Sequence, residues 1–516
     1  MREIKTASTR VAYNTMIIYA RMLITIGMSL YSTRLVLNAL GASDYGIYNL
    51  VAGVIAMLSF LNVAMAASTQ RYLSYHQGTG DYEMQKKIFT NSWILQIAIG
   101  LVLVFLFVVV NPFLFNGFLN IDPDKIFVAK AIYYFMSVSV FFSIISVPFS
   151  ALLNAHENMS WIAVVNVIES VIKLLIALSL NWFIQTQRLI AYGILMVVLY
   201  IISFFMYTIY CLKKYKECSI KNYKIDKPLL KEITGFAGWN LYGALCGIGN
   251  SQGLTLILNV FFGTIVNAAY GVANQINGQL SFFSATMLRV LNPQIMISEG
   301  KNDRQRMLRL SMMASKFGFF FIAFIAIPVI FEMSAILKIW LKNVPEYAVE
   351  FCSLILIASM TQQLTFGLES AAQATGRIKI YQSVVGSILL FNLPIAYLLL
   401  KNGFSAYYVF VSAIIIQLFA SAFRLFYLKI IAGLSVKEYF ERVFLKEIIP
   451  VLMIVLSCWT ITRNLDFKFR FFLTSIFSVI VFIFFIYYTG LCKDEKMLVN
   501  GMLKKIIKDK YSPKMI

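Results

Sequence analysis

The sequence predicts an all-α polytopic membrane protein with about 14 transmembrane helices: two six-helix bundles in pseudo-twofold repeat plus two C-terminal helices. Three observations carry this. The chain of 516 residues is 59% hydrophobic and only 13% charged, with mean hydropathy +0.75, far too apolar for one soluble core. Its apolar residues fall into runs of bilayer-spanning length. Short polar motifs in the first half recur in the second at one offset.

At roughly 20 apolar residues per crossing, spans fall near 12–33, 45–67, 90–112, 128–153, 160–182 and 188–211. A second set lies near 234–262, 266–291, 311–332, 347–372, 380–400 and 405–428, followed by 447–463 and 469–490. The first run is not a cleaved signal peptide, because it is long, carries Arg21 and is followed by many similar runs. With Arg2, Lys5 and Arg10 holding the N-terminus in the cytoplasm, alternate loops carry most of the Lys and Arg. The segment "CLKKYKECSIKNYKIDKPLLKE" has seven lysines and the tail "CKDEKMLVNGMLKKIIKDKYSPKMI" another seven. This positive-inside pattern places both termini in the cytoplasm. "TRNLDFKFR", with Arg463, Lys468 and Arg470, is an exception in an outer loop.

The formal net charge of +21 is therefore mainly a topology signal and not a nucleic-acid footprint. The tail from Lys496 to Lys510 interleaves lysines with Met497, Leu498, Met502, Leu503, Ile506 and Ile507, which fits either an interfacial helix on anionic lipid or a solvated basic tail. Six scattered cysteines without a C-x-x-C pair imply neither a disulfide framework nor a metal site. His76 and His156 lack a second ligand type at metal spacing, so no metal is expected. No loop is long enough for a soluble catalytic domain. No P-loop, Ser/His/Asp arrangement or paired carboxylates of membrane-protease type occurs, so an enzyme is not expected.

The repeat sets "LVLNALGASDYGIYNLV" (35–51) against "LILNVFFGTIVNAAYGVANQI" (256–276). Asn38 matches Asn259, Tyr45 matches Tyr270, Gly46 matches Gly271 and Asn49 matches Asn274, about 220 residues apart. "LLNAHENMSWIAVVNVI" echoes "AAQATGRIKIYQSVVGSI" at the same offset. Six helices per repeat give the halves the same membrane orientation. The expected organisation is an N-terminal bundle at 1–211, a cytoplasmic linker at 212–233, a C-terminal bundle at 234–428, and two extra helices with a basic tail at 429–516. Facing bundles are an alternating-access layout with the substrate site between them.

Fourteen spans, duplicated halves, "RLVLNALGASDYGIYNLV" and "AAQATGRIKIYQ" resemble the polysaccharide branch of the multidrug/oligosaccharidyl-lipid/polysaccharide (MOP) exporter superfamily, most nearly its O-antigen and capsule-repeat flippases. The resemblance covers essentially the whole chain, through loose motifs that define the branch better than the substrate. It implies transfer of an undecaprenyl-pyrophosphate-linked oligosaccharide repeat from the cytoplasmic to the outer leaflet of the bacterial cytoplasmic membrane, through a cationic cleft. The expected partners are that lipid-linked oligosaccharide, membrane lipids and other polysaccharide assembly proteins. No cofactor is expected. Energy comes from a proton or sodium gradient or the membrane potential. The runner-up readings are a lipid II-type flippase and a cation-coupled multidrug exporter, with a membrane-embedded polysaccharide polymerase disfavoured by the absence of a large external loop.

Ionisable and amide residues inside spans mark the candidate site. Arg21, whose burial near the bilayer centre costs about 3–10 kcal/mol, is either a cavity cation that meets the pyrophosphate or an arginine snorkelling to the headgroups. The cavity is favoured. Arg34 reads as an interfacial anchor. Glu169 and Lys173, at i,i+4, either pair within their helix or act separately, Lys173 in the cationic cavity and Glu169 in coupling. Asn267, Asn274 and Asn277 lie in a polar stripe of the eighth span, with Arg289 near its cytoplasmic end. Asn240 and Asn250 lie in the glycine-rich seventh span, whose glycines serve either bending or close packing. Gln362, Phe366, Glu369 and Gln373 fall on one face of the tenth span with Arg377 beyond, making Glu369 and Arg377 gate or coupling candidates.

Overall fold

The computed structural model describes residues 60–115, 123–184, 187–218, 226–341, 344–467, 469–497 and 500, with isolated helical positions between 21 and 48. Among these residues the secondary structure is helical, with connecting turns and no strand. A chain in hydrocarbon must satisfy its backbone internally, which helices do within each segment. Among the described residues eleven helices are long and apolar enough to cross a membrane, from Tyr82–Phe113 to Arg470–Gly490, making this a multi-pass membrane protein. The two expected spans at 12–33 and 45–67, together with Arg34 and the tail 501–516, fall largely or wholly outside the described residues. The eighth expected span, 266–291, is the second part of the helical stretch Lys227–Gly300, broken at Gly263 (φ 73°). The left-handed conformation there suits glycine, lacking a Cβ, and sits at the "GTIV" turn.

Two compact units divide the chain, Ala12–Leu241 and Tyr242–Ile516. In the first, Phe60–Thr79, Tyr82–Phe113, Ile126–Ala155, Met159–Ser179 and Arg188–Lys214 pack around Phe107, Ile132, Tyr133, Leu180 and Leu189. "GTGD" forms a turn: Gly80 takes φ 75° and the Asp81 side chain caps the next helix by accepting from Met84 N at 2.9 Å. The turn His156–Asn158 is held by the chain following Lys214. His156 Nε2 lies 3.1 Å from the Glu217 carboxylate, its ring stacks on Tyr215 at 4.3 Å, and Asn158 Nδ2 donates to the hydroxyls of Tyr210 and Tyr215. Burial alone would raise the Glu217 carboxyl. Hydrogen bonds from His156 and the backbone outweigh it and hold the group below the ordinary carboxylate range. Burial also pushes the Tyr215 phenol up to about 12.

The second unit is built on Arg304–Phe331. The Gly367 α-carbon abuts this helix so closely that a Cβ would lie 2.1 Å from Ser311 O, while Gly367 N donates to Ser315 Oγ at 3.0 Å. In the seventh span, Cβ atoms on Gly243 and Gly253 would collide with Gln382 and Leu393, whereas Gly235, Gly238 and Gly247 face open space. Close packing thus accounts for part of that glycine content.

The last two spans, Leu445–Asn464 and Arg470–Phe485, pack on Arg304–Phe331 through Phe320, Ala323, Ile454 and Phe482. Arg470 donates bidentately to Glu332, which is 2% exposed, at 2.9 and 3.1 Å, and Thr474 donates to the same carboxylate at 2.8 Å. Arg470 is therefore bound to a buried carboxylate. Lys316, 1% exposed, donates to Glu495 at 2.6 Å. The six cysteines are free.

Removing one partner of a buried, hydrogen-bonded pair leaves an uncompensated charge. Arg470→Met should lower stability by about 3 kcal/mol, read as a thermal midpoint in detergent, and the double variant with Glu332→Leu should recover most of it. Because the Glu217 carboxyl is depressed in the folded state, its stabilisation is present above its unfolded pKa and is lost as pH falls through the folded value. His156→Ala should move the acid-unfolding midpoint, followed by tryptophan fluorescence, to higher pH.

Candidate functional site

The candidates separate into three clusters, each within one unit. In the first unit, Met159–Ser179 lies against Arg188–Lys214. Glu169 acts electrostatically on the hydroxyls of both Tyr200 and Tyr207, and Arg21 acts on Tyr207. Tyr200 and Tyr207 are seven residues apart and so share a helix face. Tyr48 also influences Tyr200 and sets its ring 4.9 Å from Tyr192. Arg21, Glu169 and Lys173 are each half-buried. Glu169 and Lys173 form no ion pair, so the intrahelical pairing is corrected: the carboxylate acts on the tyrosines of the neighbouring helix.

In the second unit a cavity of about 270 Å³ is lined by Asn250, Asn274, Asn277, Gln362, Asn392 and Gln417, with Ser251 and Ser359. Ser359 and Ser281 donate to Asn277 Oδ1, and Ser412 donates to Asn392 Oδ1 at 2.9 Å. Asn392 owes its place to Pro394. Proline cannot donate to the carbonyl of Leu390, and the helices Ile378–Leu390 and Asn392–Lys401 part there. Among the described residues, no charged side chain lines the cavity.

The third cluster surrounds Arg424, 3% exposed in Tyr408–Ala432. Its Nε donates to Tyr381 Oη at 3.2 Å and its Nη1 to Thr365 Oγ1 at 3.1 Å, and Glu369 lies within its field. Gln373 donates to Glu369 at 3.4 Å. The tenth span is not one continuous helix: it breaks between Gln363 and Phe366, where Tyr439 donates to Leu364 O and Gly367 sits against Arg304–Phe331. The expected single face is therefore split, with Gln362 at the cavity and Glu369 beside Arg424. Arg377 lies just before Ile378–Leu390 and accepts a hydrogen bond from Tyr427 at its carbonyl.

Of the sequence candidates, the structure brings Asn250, Asn274 and Asn277 together, and places Arg21 and Glu169 around Tyr207. Asn240 is buried in Lys227–Gly300 and is not among the cavity lining. The side chains of Asn267 and Arg289, on the same helical stretch, lie outside the described residues. Sequence reasoning passed over Arg424, Asn392 and Gln417. Arg424 stands alone in the apolar run "SAFRLFYL", and an ionisable residue inside a span is itself a signal. Among the described residues no three His, Cys, Asp or Glu converge as metal ligands.

Residues 18–179 match the MatE family model. No curated protein matches the chain. Solved structures do: a mutant of a MATE transporter superposes with TM-score 0.73 at 11% identity, covering 83% of this chain and 96% of the other. The fold is that of the MATE transporters. A Vibrio cholerae MATE transporter gives 0.70 at 16% identity over 84% and 99%. A MOP superfamily transporter from Pyrococcus furiosus, described by the reversed polarity of its binding pocket, gives 0.70 at 11% over 83% and 96%.

Arg424→Met should lower the thermal midpoint by leaving Tyr381 and Thr365 without their donor. Adding Glu369→Gln should recover part of the loss by removing the uncompensated carboxylate, which a double-mutant cycle on the purified protein measures.

Proposed function

We propose that the protein is a transporter of the MOP superfamily, and specifically a flippase. It moves an undecaprenyl-pyrophosphate-linked oligosaccharide repeat from the cytoplasmic to the outer leaflet of the bacterial cytoplasmic membrane by alternating access, with both termini in the cytoplasm. The observation that carries the reading is the basic charge within apolar spans of the first unit, Arg21 and Lys173. Guanidinium and ammonium groups match a pyrophosphate, and a cation in a span is tolerated where water or an anionic ligand reaches it. The MATE fold and the MatE match support transport over catalysis. Glu169 and Glu369 are the carboxylates through which an ion gradient would couple, and the membrane potential supplies about 2.3 kcal/mol per charge per 100 mV.

A second reading, a cation-coupled multidrug exporter, is favoured by the same two carboxylates, since a cationic drug needs a buried anion. It is also favoured by the similarity to an outward-facing multidrug resistance MATE transporter, TM-score 0.71 at 12% identity.

Deleting the gene should accumulate undecaprenyl-linked repeat in the inner leaflet and abolish surface polysaccharide, with drug susceptibility unchanged. Arg21→Ala should reproduce the polysaccharide loss while membrane levels of the protein are maintained. Normal polymer together with drug hypersensitivity in the deletion strain would establish the exporter reading instead.

A further inference from the structure

The neutral cavity of the second unit calls for its own ligand. Its walls come from both sides of the Gly263 break, from Ala348–Gln363, from the parting at Asn392 and from Tyr408–Ala432. Asn392, 1% exposed, and Gln417, 7% exposed, each present an amide nitrogen with no hydrogen-bond partner among the described residues, and Asn250 an amide oxygen in the same condition. A buried polar atom left unpaired is costly, more so in a bundle surrounded by lipid, and three such atoms on residues of one cavity are groups that a hydrogen-bonding ligand would satisfy.

The lining chemistry narrows the class. Among the described residues of the lining, no Lys, Arg or His supplies a counter-charge for a phosphate, and no Asp or Glu supplies one for an organic cation. Carboxamides and hydroxyls each donate and accept, and they do so whichever way an amide is turned. The fitting ligand is neutral and bears several groups that also donate and accept. Two aromatic residues, Tyr270 and Phe410, with ring centroids 5.5 Å apart, add an apolar surface of the kind that takes the C–H face of a sugar. The 270 Å³ volume lies below the roughly 300 Å³ at which drug-sized pockets begin and equals about nine waters at ~30 Å³ each, which suits one ring and not an oligosaccharide.

We propose that this cavity is a binding site for a single neutral pyranose ring, held by the amides of Asn250, Asn274, Asn392 and Gln417. The site rests on the reading of the protein as a saccharide transporter, and supplies the neutral-sugar contact that Arg21 and Lys173 cannot. Gly247 gives the means of testing it. It lines the cavity, and a Cβ there would meet nothing within 4 Å, so Gly247→Leu starts a side chain in open space and extends it into the cavity.

The experiment is saturation-transfer NMR on the full-length protein in nanodiscs, with methyl glucoside, methyl galactoside, methyl N-acetylglucosaminide and methyl rhamnoside as probes. Methyl glucuronide and tetraphenylphosphonium are the charged comparators. At least one neutral pyranoside should give a saturable signal, which Gly247→Leu abolishes and Gln417→Leu weakens about tenfold, the equivalent of ~1.4 kcal/mol. Both variants should retain the wild-type thermal midpoint, and if Gly247→Leu does not fold, Gly247→Ala and Gln417→Leu carry the comparison. Signals that persist unchanged in the filled cavity, no signal from any neutral pyranoside, or preferential binding of tetraphenylphosphonium would overturn the proposal. Competition by extracted lipid-linked repeat distinguishes a transported sugar from a free one. If pyranosides bind while gene deletion leaves lipid-linked repeat evenly distributed, the cavity stands and the flippase reading falls. The converse result, with repeat trapped inside and no pyranoside bound, fails the cavity alone.

Discussion

Every charge and amide in a lipid-embedded bundle needs a partner supplied by the protein itself or by a cavity, because hydrocarbon offers none. Much of the second unit is organised by that requirement. Glu332, buried between helices, is met by both the Arg470 fork and the Thr474 hydroxyl, and Lys316 is met by Glu495. Both anchors lie on or next to Arg304–Phe331, so one helix carries the fasteners for the last two spans and the segment that follows them. Phe320 and Phe482 fill the space between, and the ion pairs fix which helix the appended pair joins.

Where the polar residues cluster, the helices are interrupted. Gly263 breaks Lys227–Gly300, the chain parts at Asn392, and the tenth span divides before Phe366. Each interruption follows from local chemistry: a left-handed glycine, a proline two residues into a helix, and a glycine pressed against another backbone. The neutral cavity lies among the first two. The third separates Gln362 from Glu369, so neutral and charged groups that a straight helix would align occupy different environments.

The fold class was legible in the sequence because hydropathy reports span length directly, and eleven of the expected spans correspond to described helices. The site was legible only in its amide part. Asn250, Asn274 and Asn277 stood out as polar residues in apolar runs, and they meet at one cavity. Asn392 and Gln417 did not, since each is a lone amide whose importance comes from neighbours distant in sequence. The Glu169–Lys173 spacing invited an intrahelical pair, but spacing cannot weigh the tyrosines that the next helix offers. The bond of Arg470 to Glu332 was hidden for the same reason, since the two residues lie 138 apart in the chain.

The bond between Lys316 and Glu495 spans 179 residues of chain, and this has a consequence for biogenesis. At 5–20 residues per second, the lysine is synthesised roughly 10–35 s before its carboxylate exists. For that interval the Arg304–Phe331 helix carries an ammonium group whose hydrogen-bonding carboxylate has not been made, so this fastening of the second unit closes only after the last spans have been synthesised.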